Sequence, residues 1–200
     1  MIQRKVFVVG LAAIAAVAVG TGPAVAAPPA AGAAAGRHCV VQLPDQKVSC
    51  FSEFRAAIAA ATNGRITDAP NDPAAAATDW AFERRINEAS SLPRSTAAAV
   101  EYYVLSIEFE HRYRGDNGGQ THIFSATSKC IEDGLRDFQV DDIRNIDPWW
   151  NDRISSSQGY NTCDVNHYEH SNQNGRSTGA QPYTDSMGVM NDLTTSLTWG

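Results

Sequence analysis

The hydrophobic pattern of the chain changes twice, and the changes divide it into parts. Val6 to Gly20 is an unbroken apolar run, preceded by Arg4 and Lys5 and followed by the small-residue step Ala24-Val-Ala26. A positive start, a short apolar stretch and a small-residue cleavage step make a secretory signal peptide, and the run is too short for a comfortable membrane span. Residues 1–26 are therefore read as a signal peptide, and the Ala/Pro/Gly-rich residues 27–37 as a disordered leader. No other apolar run approaches the ~20 residues of a transmembrane helix. The expectation is an extracellular, soluble protein with no membrane partner after cleavage.

Residues 38–98 carry a mixed pattern. Cys39 to Cys50 predicts two short strands around a Pro44-Asp45 turn. Phe54, Ile58 and Ala61 fall on one helical face, with Ser52 as the candidate cap and Asn63-Gly64 as the stop. A second helix is expected from Asn71-Asp-Pro-Ala74, with Pro73 in its first turn, through Trp80, Phe82, Ile86 and Ala89 to a stop at Pro93. Too few large apolar residues are present for this segment to hold together alone, so it should dock on the C-terminal half of the chain or be mobile.

From residue 99 to 200 the pattern becomes that of short strands. Glu101 to Phe109 alternates and is rich in Tyr, Val, Ile and Phe. Turn-forming runs come next at Gly115–Gly119, Ser156–Gly159 and Ser171–Gly175, a regular spacing that predicts a small β-sandwich. Residues 131–148 interrupt it with Glu132, Asp133, Asp137, Asp141, Asp142 and Asp147, read as a solvated connecting loop, with an extra metal site as the lesser alternative.

This half also repeats itself. Asn151-Asp-Arg-Ile-Ser-Ser156 recurs as Asn191-Asp-Leu-Thr-Thr-Ser196. Each hexapeptide comes after an aromatic-Glu-His triplet, Phe109-Glu-His111 and Tyr168-Glu-His170, and a Gly-x-hydroxyl step, Gly119-Gln-Thr121 and Gly175-Arg-Ser177. A repeat of this length means one supersecondary unit used twice.

Charge and cysteine content narrow the partners. Loss of Arg4 and Lys5 with the signal peptide takes the formal net charge from −6 to −8. An acidic surface argues against nucleic acid, which needs a basic patch, and is compatible with cations. Four cysteines in an exported chain most simply form two disulfides. Three pairings exist; Cys39–Cys50 across the short hairpin and Cys130–Cys163 within the repeated region are favoured.

The repeated motifs resemble the βγ-crystallin Greek-key superfamily, above all its microbial calcium-binding members. The pattern shared is an aromatic-acid hairpin start with a downstream glycine, followed by N/D-N/D-x-x-S/T-S. Tyr168 to Gly175 keeps the tyrosine, glutamate and glycine spacing and departs at Gln173, where a second aromatic is usual. Phe109-Glu110 begins the first copy, whose hairpin is about three residues longer before Gly119. The exported, disulfide-bonded character is also similar to the actinomycete metalloproteinase inhibitors, which share this domain. The fold implied is mainly β: a two-motif Greek-key β-sandwich preceded by a small hairpin and helical segment.

The resemblance also implies a calcium site shared between the loops. The fifth-position hydroxyl and third-position carbonyl of one loop combine with an acidic or amide oxygen of the other. Carried over, this names Asn151, Asp152 and Ser155 with Asn191, Asp192 and Thr195, while Arg153 and Leu193 contribute carbonyls. Independently of any family, Asn-Asp-x-x-Ser/Thr packs three hard oxygen ligands into five residues, the donor type calcium takes six to eight of. With one carboxylate per motif, affinity should lie in the ~10⁻⁴ to 10⁻³ M range of extracellular modules. The competing reading is a pair of self-capped turns, since Asn, Asp and Ser readily bond their own backbone.

Other chemistry is weaker. His111, His122, His167 and His170 with Glu110 and Glu169 lack a zinc-helix spacing and are read as surface histidines on hairpins. No serine sits in a Gly-x-Ser-x-Gly elbow, and no catalytic residue is assigned. The expectation is a non-enzymatic calcium-binding protein. Two alternatives remain: inhibition of an extracellular metalloprotease through Gly115–Gly119 or the 131–148 insert, and a cell-wall or carbohydrate-binding module using Trp149 or Trp150.

Overall fold

The computed structural model describes residues 37–43, 45–89, 101–115 and 119–200. The expected signal peptide, most of the expected leader and the expected helix stop at Pro93 lie outside these residues. Among these described residues there are ten strands: β1 (His38–Gln42), β2 (Lys47–Phe51), β3 (Tyr103–Phe109), β4 (Thr121–Ala126), β5 (Phe138–Val140), β6 (Ser156–Gly159), β7 (Val165–His170), β8 (Asn174–Ser177), β9 (Tyr183–Thr184) and β10 (Ser196–Trp199). They form two sheets, ordered β2-β1-β4-β3-β6-β9 and β5-β10-β7-β8.

The internal repeat is visible as strand order. In the first copy β3 and β4 form an antiparallel hairpin, and the fourth strand β6 returns beside β3. In the second, β7 and β8 form the hairpin and β10 returns beside β7. The third strand of each copy leaves its own unit: β5 pairs with β10, and β9 pairs with β6. Each copy is a Greek key that donates one strand to its partner's sheet. β5 lies in the acidic stretch that the sequence suggested was a solvated loop. Burial is the reason for the difference: Val140 and Ile143 are fully buried, while Asp133, Asp142 and Asp147 accept backbone N–H bonds that close turns on either side.

The N-terminal segment extends the first sheet. β1 and β2 make the expected hairpin, and β1 lies parallel to β4. Three helices come after it: α1 (Phe54–Ala61), α2 (Pro73–Thr78) and α3 (Trp80–Asn87). Asn63 and Gly64 stop α1 in the left-handed region, with the Gly64 N–H donating to the Ala59 carbonyl at 2.7 Å. The cap of α1 is Glu53 rather than Ser52, and its side chain makes no capping bond. The single helix expected from Asn71 is split at Asp79. That side chain accepts from the Ala81 and Phe82 N–H groups, so it starts a new helix where the first ends.

The helices give the first sheet two buried faces. Phe54, Ile58, Ile66, Phe82 and Ile86 pack with Val40, Val104, Ile107, Phe109 and Ile123 on one side of it. Leu105, Phe124, Val140, Trp150, Leu197 and Trp199 fill the space between the sheets. Every residue of β4 is therefore buried, polar ones included.

A chain of polar side chains crosses the inter-sheet core. Trp199 Nε1 donates to Ser106 Oγ at 2.9 Å, Ser106 donates to Glu108 at 2.5 Å, and the other Glu108 oxygen meets His167 Nε2 at 2.9 Å. His122 stacks on Trp150 at 5.1 Å between ring centroids. The reading of the histidines as surface residues is thus corrected for His122 and His167, both fully buried; His111 and His170 are exposed. Disulfides join Cys39 to Cys50 and Cys130 to Cys163, as favoured from the sequence. Among the described residues no helix is long and apolar enough to cross a membrane.

Candidate metal centre

The two hexapeptide loops lead into β6 and β10, and the crossed strands bring them together. Asp152 N donates to the Thr194 carbonyl at 3.1 Å, and Asp192 N donates to the Ile154 carbonyl at 3.2 Å. Each loop thus bonds the other through the same position. Asp152 and Asp192 both sit in the left-handed region, with φ of 57° and 56°. Asp tolerates that conformation better than most residues, which accounts for its place in both copies.

The side chains repeat the exchange. Ser155 Oγ donates to Asp192 Oδ1 at 2.9 Å, and Thr195 Oγ1 to Asp152 Oδ1 at 3.5 Å. Within each loop the asparagine amide donates to its neighbour's carboxylate, Asn151 to Asp152 at 2.6 Å and Asn191 to Asp192 at 2.5 Å. All six side chains named from the sequence therefore meet in two reciprocal sets. One is Ser155 with Asn191 and Asp192; the other is Thr195 with Asn151 and Asp152.

The upstream motifs position these loops. The last serine of each hexapeptide donates to the carbonyl of the triplet histidine at 2.6 Å, Ser156 to His111 and Ser196 to His170. Each also accepts a backbone N–H from the hairpin turn, Arg114 at 2.8 Å and Gln173 at 3.1 Å. Those turns contain paired left-handed residues, Tyr113-Arg114 and Asn172-Gln173. The triplet glutamates accept from the N–H after each glycine, Glu110 from Gln120 and Glu169 from Arg176, both at 3.4 Å. A Cβ at Gly119 or Gly175 would press on the ring of His111 or His170, which explains the glycine in each copy. The hydrogen bond from Arg176 holds the Glu169 carboxyl down at about 2.

A cleft of about 740 Å³ opens beside the first loop, lined among others by Glu110, Arg112, Tyr113, Asp152, Ser155 and Asp192. Arg112 Nε donates to Asn191 Oδ1 at 3.2 Å, and Arg153 reaches Glu110 at 3.6 Å while covering the Trp149 ring at 4.2 Å. Asn151 Oδ1, in contrast, is buried with no hydrogen-bond partner. An oxygen without a donor, flanked by a carboxylate and a partner-loop hydroxyl, fits a hard cation: it has lone pairs to give and no proton to receive.

Elsewhere the sequence candidates separate. Apart from Cys39, Cys50 and Asp147, no three His, Cys, Asp or Glu ligand atoms converge among the described residues, and those two cysteines are joined to each other. Trp150 is fully buried and Trp149 half-buried beneath Arg153, so neither presents an open ring to a polysaccharide. Arg112 is the residue that sequence reading passed over. It directly follows the first triplet where Ser171 follows the second, and that contrast between the copies was the available signal.

Comparison with known proteins finds likeness at the level of structure. No family model matches the chain. No curated protein matches it either. Among solved structures, one described under the evolution of the eye lens βγ-crystallin domain fold aligns at 14% identity, covering 52% of this chain and 93% of its own, with a TM-score of 0.35. A βγ-crystallin from an archaeon aligns at 21% identity over 48% of this chain and 95% of its own, with a TM-score of 0.29. The strand order itself carries the assignment: two Greek keys, each lending its third strand to the other sheet, with a hexapeptide loop leading into each fourth strand. It assigns the fold alone: residues 101–115 and 119–200 form two interlocked Greek keys in a two-sheet β-sandwich. The β1–β2 hairpin and α1 to α3 are additions to it, built onto the free edge and outer face of its first sheet.

Proposed function

We propose that this is an exported, non-enzymatic calcium-binding protein in which the ion ties the two loops of the βγ-crystallin-like domain together. Asn151, Asp152 and Thr195 would hold one ion and Asn191, Asp192 and Ser155 the equivalent position, with loop carbonyls completing the shell. Calcium supplies a crosslink here: it binds the folded arrangement of two loops 40 residues apart and not the unfolded chain, and so stabilises by mass action. The observation that carries the reading is the reciprocal pairing of each fifth-position hydroxyl with the partner loop's carboxylate. Two disulfides belong to an oxidising compartment and support export.

Tryptophan emission tests the reading, because Trp149 and Trp150 immediately precede Asn151. Calcium added to 10 mM is expected to change the emission of the wild type in a saturable way. Asp152→Ala combined with Asp192→Ala should abolish the change. A wild-type response that is absent, or one that survives in the double variant, contradicts the proposal.

Metalloprotease inhibition keeps one observation in its favour. Ile131 and Leu135 are exposed on a loop anchored by the Cys130–Cys163 disulfide and tied by the Ile131 N–H to Asp137 at 2.8 Å. Titration against a thermolysin-like protease decides it: undiminished protease activity at micromolar inhibitor rules it out.

A further inference from the structure

The two halves of the candidate centre are alike in backbone and unlike in charge. In the half built on Ser155, the Asn191 side-chain oxygen is already engaged by the Arg112 guanidinium, and Ser155 bonds Asp192 at an ordinary 2.9 Å. Arg153 pairs with Glu110 in the cleft that Asn151 and Asp152 share with Ser155 and Asp192, so it is common to both halves. In the half built on Thr195, the Asn151 oxygen is buried without a partner and the Thr195–Asp152 contact is stretched to 3.5 Å. Ser171, in the place equivalent to Arg112, is uncharged; Arg144 lies near enough to feel the Asp152 charge but makes no hydrogen bond to it, its guanidinium being held in a fork by the Asp142 carboxylate.

Resting on the calcium reading above, we infer that Arg112 is a built-in cation that substitutes for calcium in one half, so the protein takes a single ion at Asn151, Asp152 and Thr195. A guanidinium donates where a calcium ion would accept lone pairs, and its charge repels a divalent cation at short range. A metal entering the Ser155 half has to displace the Arg112–Asn191 bond and sit beside Arg112. Entry at the Thr195 half displaces no arginine bonded to its ligands and gives the Asn151 oxygen its missing partner. The asymmetry leaves one loop crosslink permanent and one conditional on calcium.

Residue-resolved NMR titration of the full chain with calcium chloride separates the halves. In the wild type, amides at Asn151, Asp152 and Thr195 are expected to shift together with one Kd, and those of Ser155 and Asn191 to need at least ten-fold more calcium. Asp152→Asn and Thr195→Val should each weaken the first set. Arg112→Ser should bring the Ser155 set into the same calcium range. Equal Kd values for the two sets in the wild type, or an Arg112→Ser variant whose Ser155 set is unchanged, overturn the inference while leaving calcium binding intact. Absence of any saturable shift overturns both.

Discussion

Single residues divide here into those whose role could be read from the chain and those whose role depends on what lies opposite. The six ligand candidates were named through the resemblance carried by the repeated hexapeptides, and the fold brings all six side chains together. The buried histidines were not, since nothing local distinguishes a histidine facing Trp150 from one facing water. Burial, reinforced by the charge of Arg37, pushes His122 down to about 3, and burial pushes His38 down to about 4. Both stay neutral in the folded protein at pH values where an unfolded histidine, near 6.5, takes a proton. Stability is therefore complete above pH 6.5 and falls as pH drops from 6.5 toward 4 and then 3. At pH 4.5 the loss from His122 alone should be about 3 kcal/mol. Melting curves across that range check this, and His122→Phe, which keeps the stack on Trp150, should flatten the decline. Gly159 gives a second prediction at this scale. A Cβ there would overlap the Cys163 carbonyl oxygen and come within 3.0 Å of the Pro182 carbonyl, both backbone. Gly159→Ala should lower stability by about 1–3 kcal/mol in urea unfolding.

At the level of elements, the repeat was legible and the layers were not. Paired triplets, glycines and hexapeptides identified two equivalent units, and each pair has the same backbone role in both copies. Ser156 and Ser196 make this testable. Each is fully buried, donates to a histidine carbonyl and accepts from a turn N–H, so Ser→Ala leaves two backbone groups short of a partner. Either substitution should cost about 1–3 kcal/mol, and the costs should be alike in the two copies. The acidic insert misled because six acids in eighteen residues look solvated, whereas three of them, Asp133, Asp142 and Asp147, accept backbone N–H bonds in the turns around β5. β5 has only three residues, and its partner β10 is 57 positions away, so no local periodicity could reveal it.

For the whole molecule, two features tie distant parts of the chain. One is the three-layer packing, in which α1 to α3 cover the first sheet while Trp150 and Trp199 fill the space behind it. The other is the disulfide pair. Cys130–Cys163 closes 33 residues across the crossed strand β5, and reducing it or replacing both cysteines by serine should cost about 3–4 kcal/mol. Calcium would add a third tie, between loops that the Greek keys already hold back to back. Thermal melting with and without the ion tests it most directly. With a Kd of ~10⁻⁴ to 10⁻³ M, 10 mM calcium stabilises by roughly 1.4–2.7 kcal/mol, or roughly 3–10 °C in Tm for a chain of this size. The wild type should show that rise over a sample in EDTA, and Asp152→Ala should lose most of it. Identical melting temperatures in calcium and in EDTA would contradict the account.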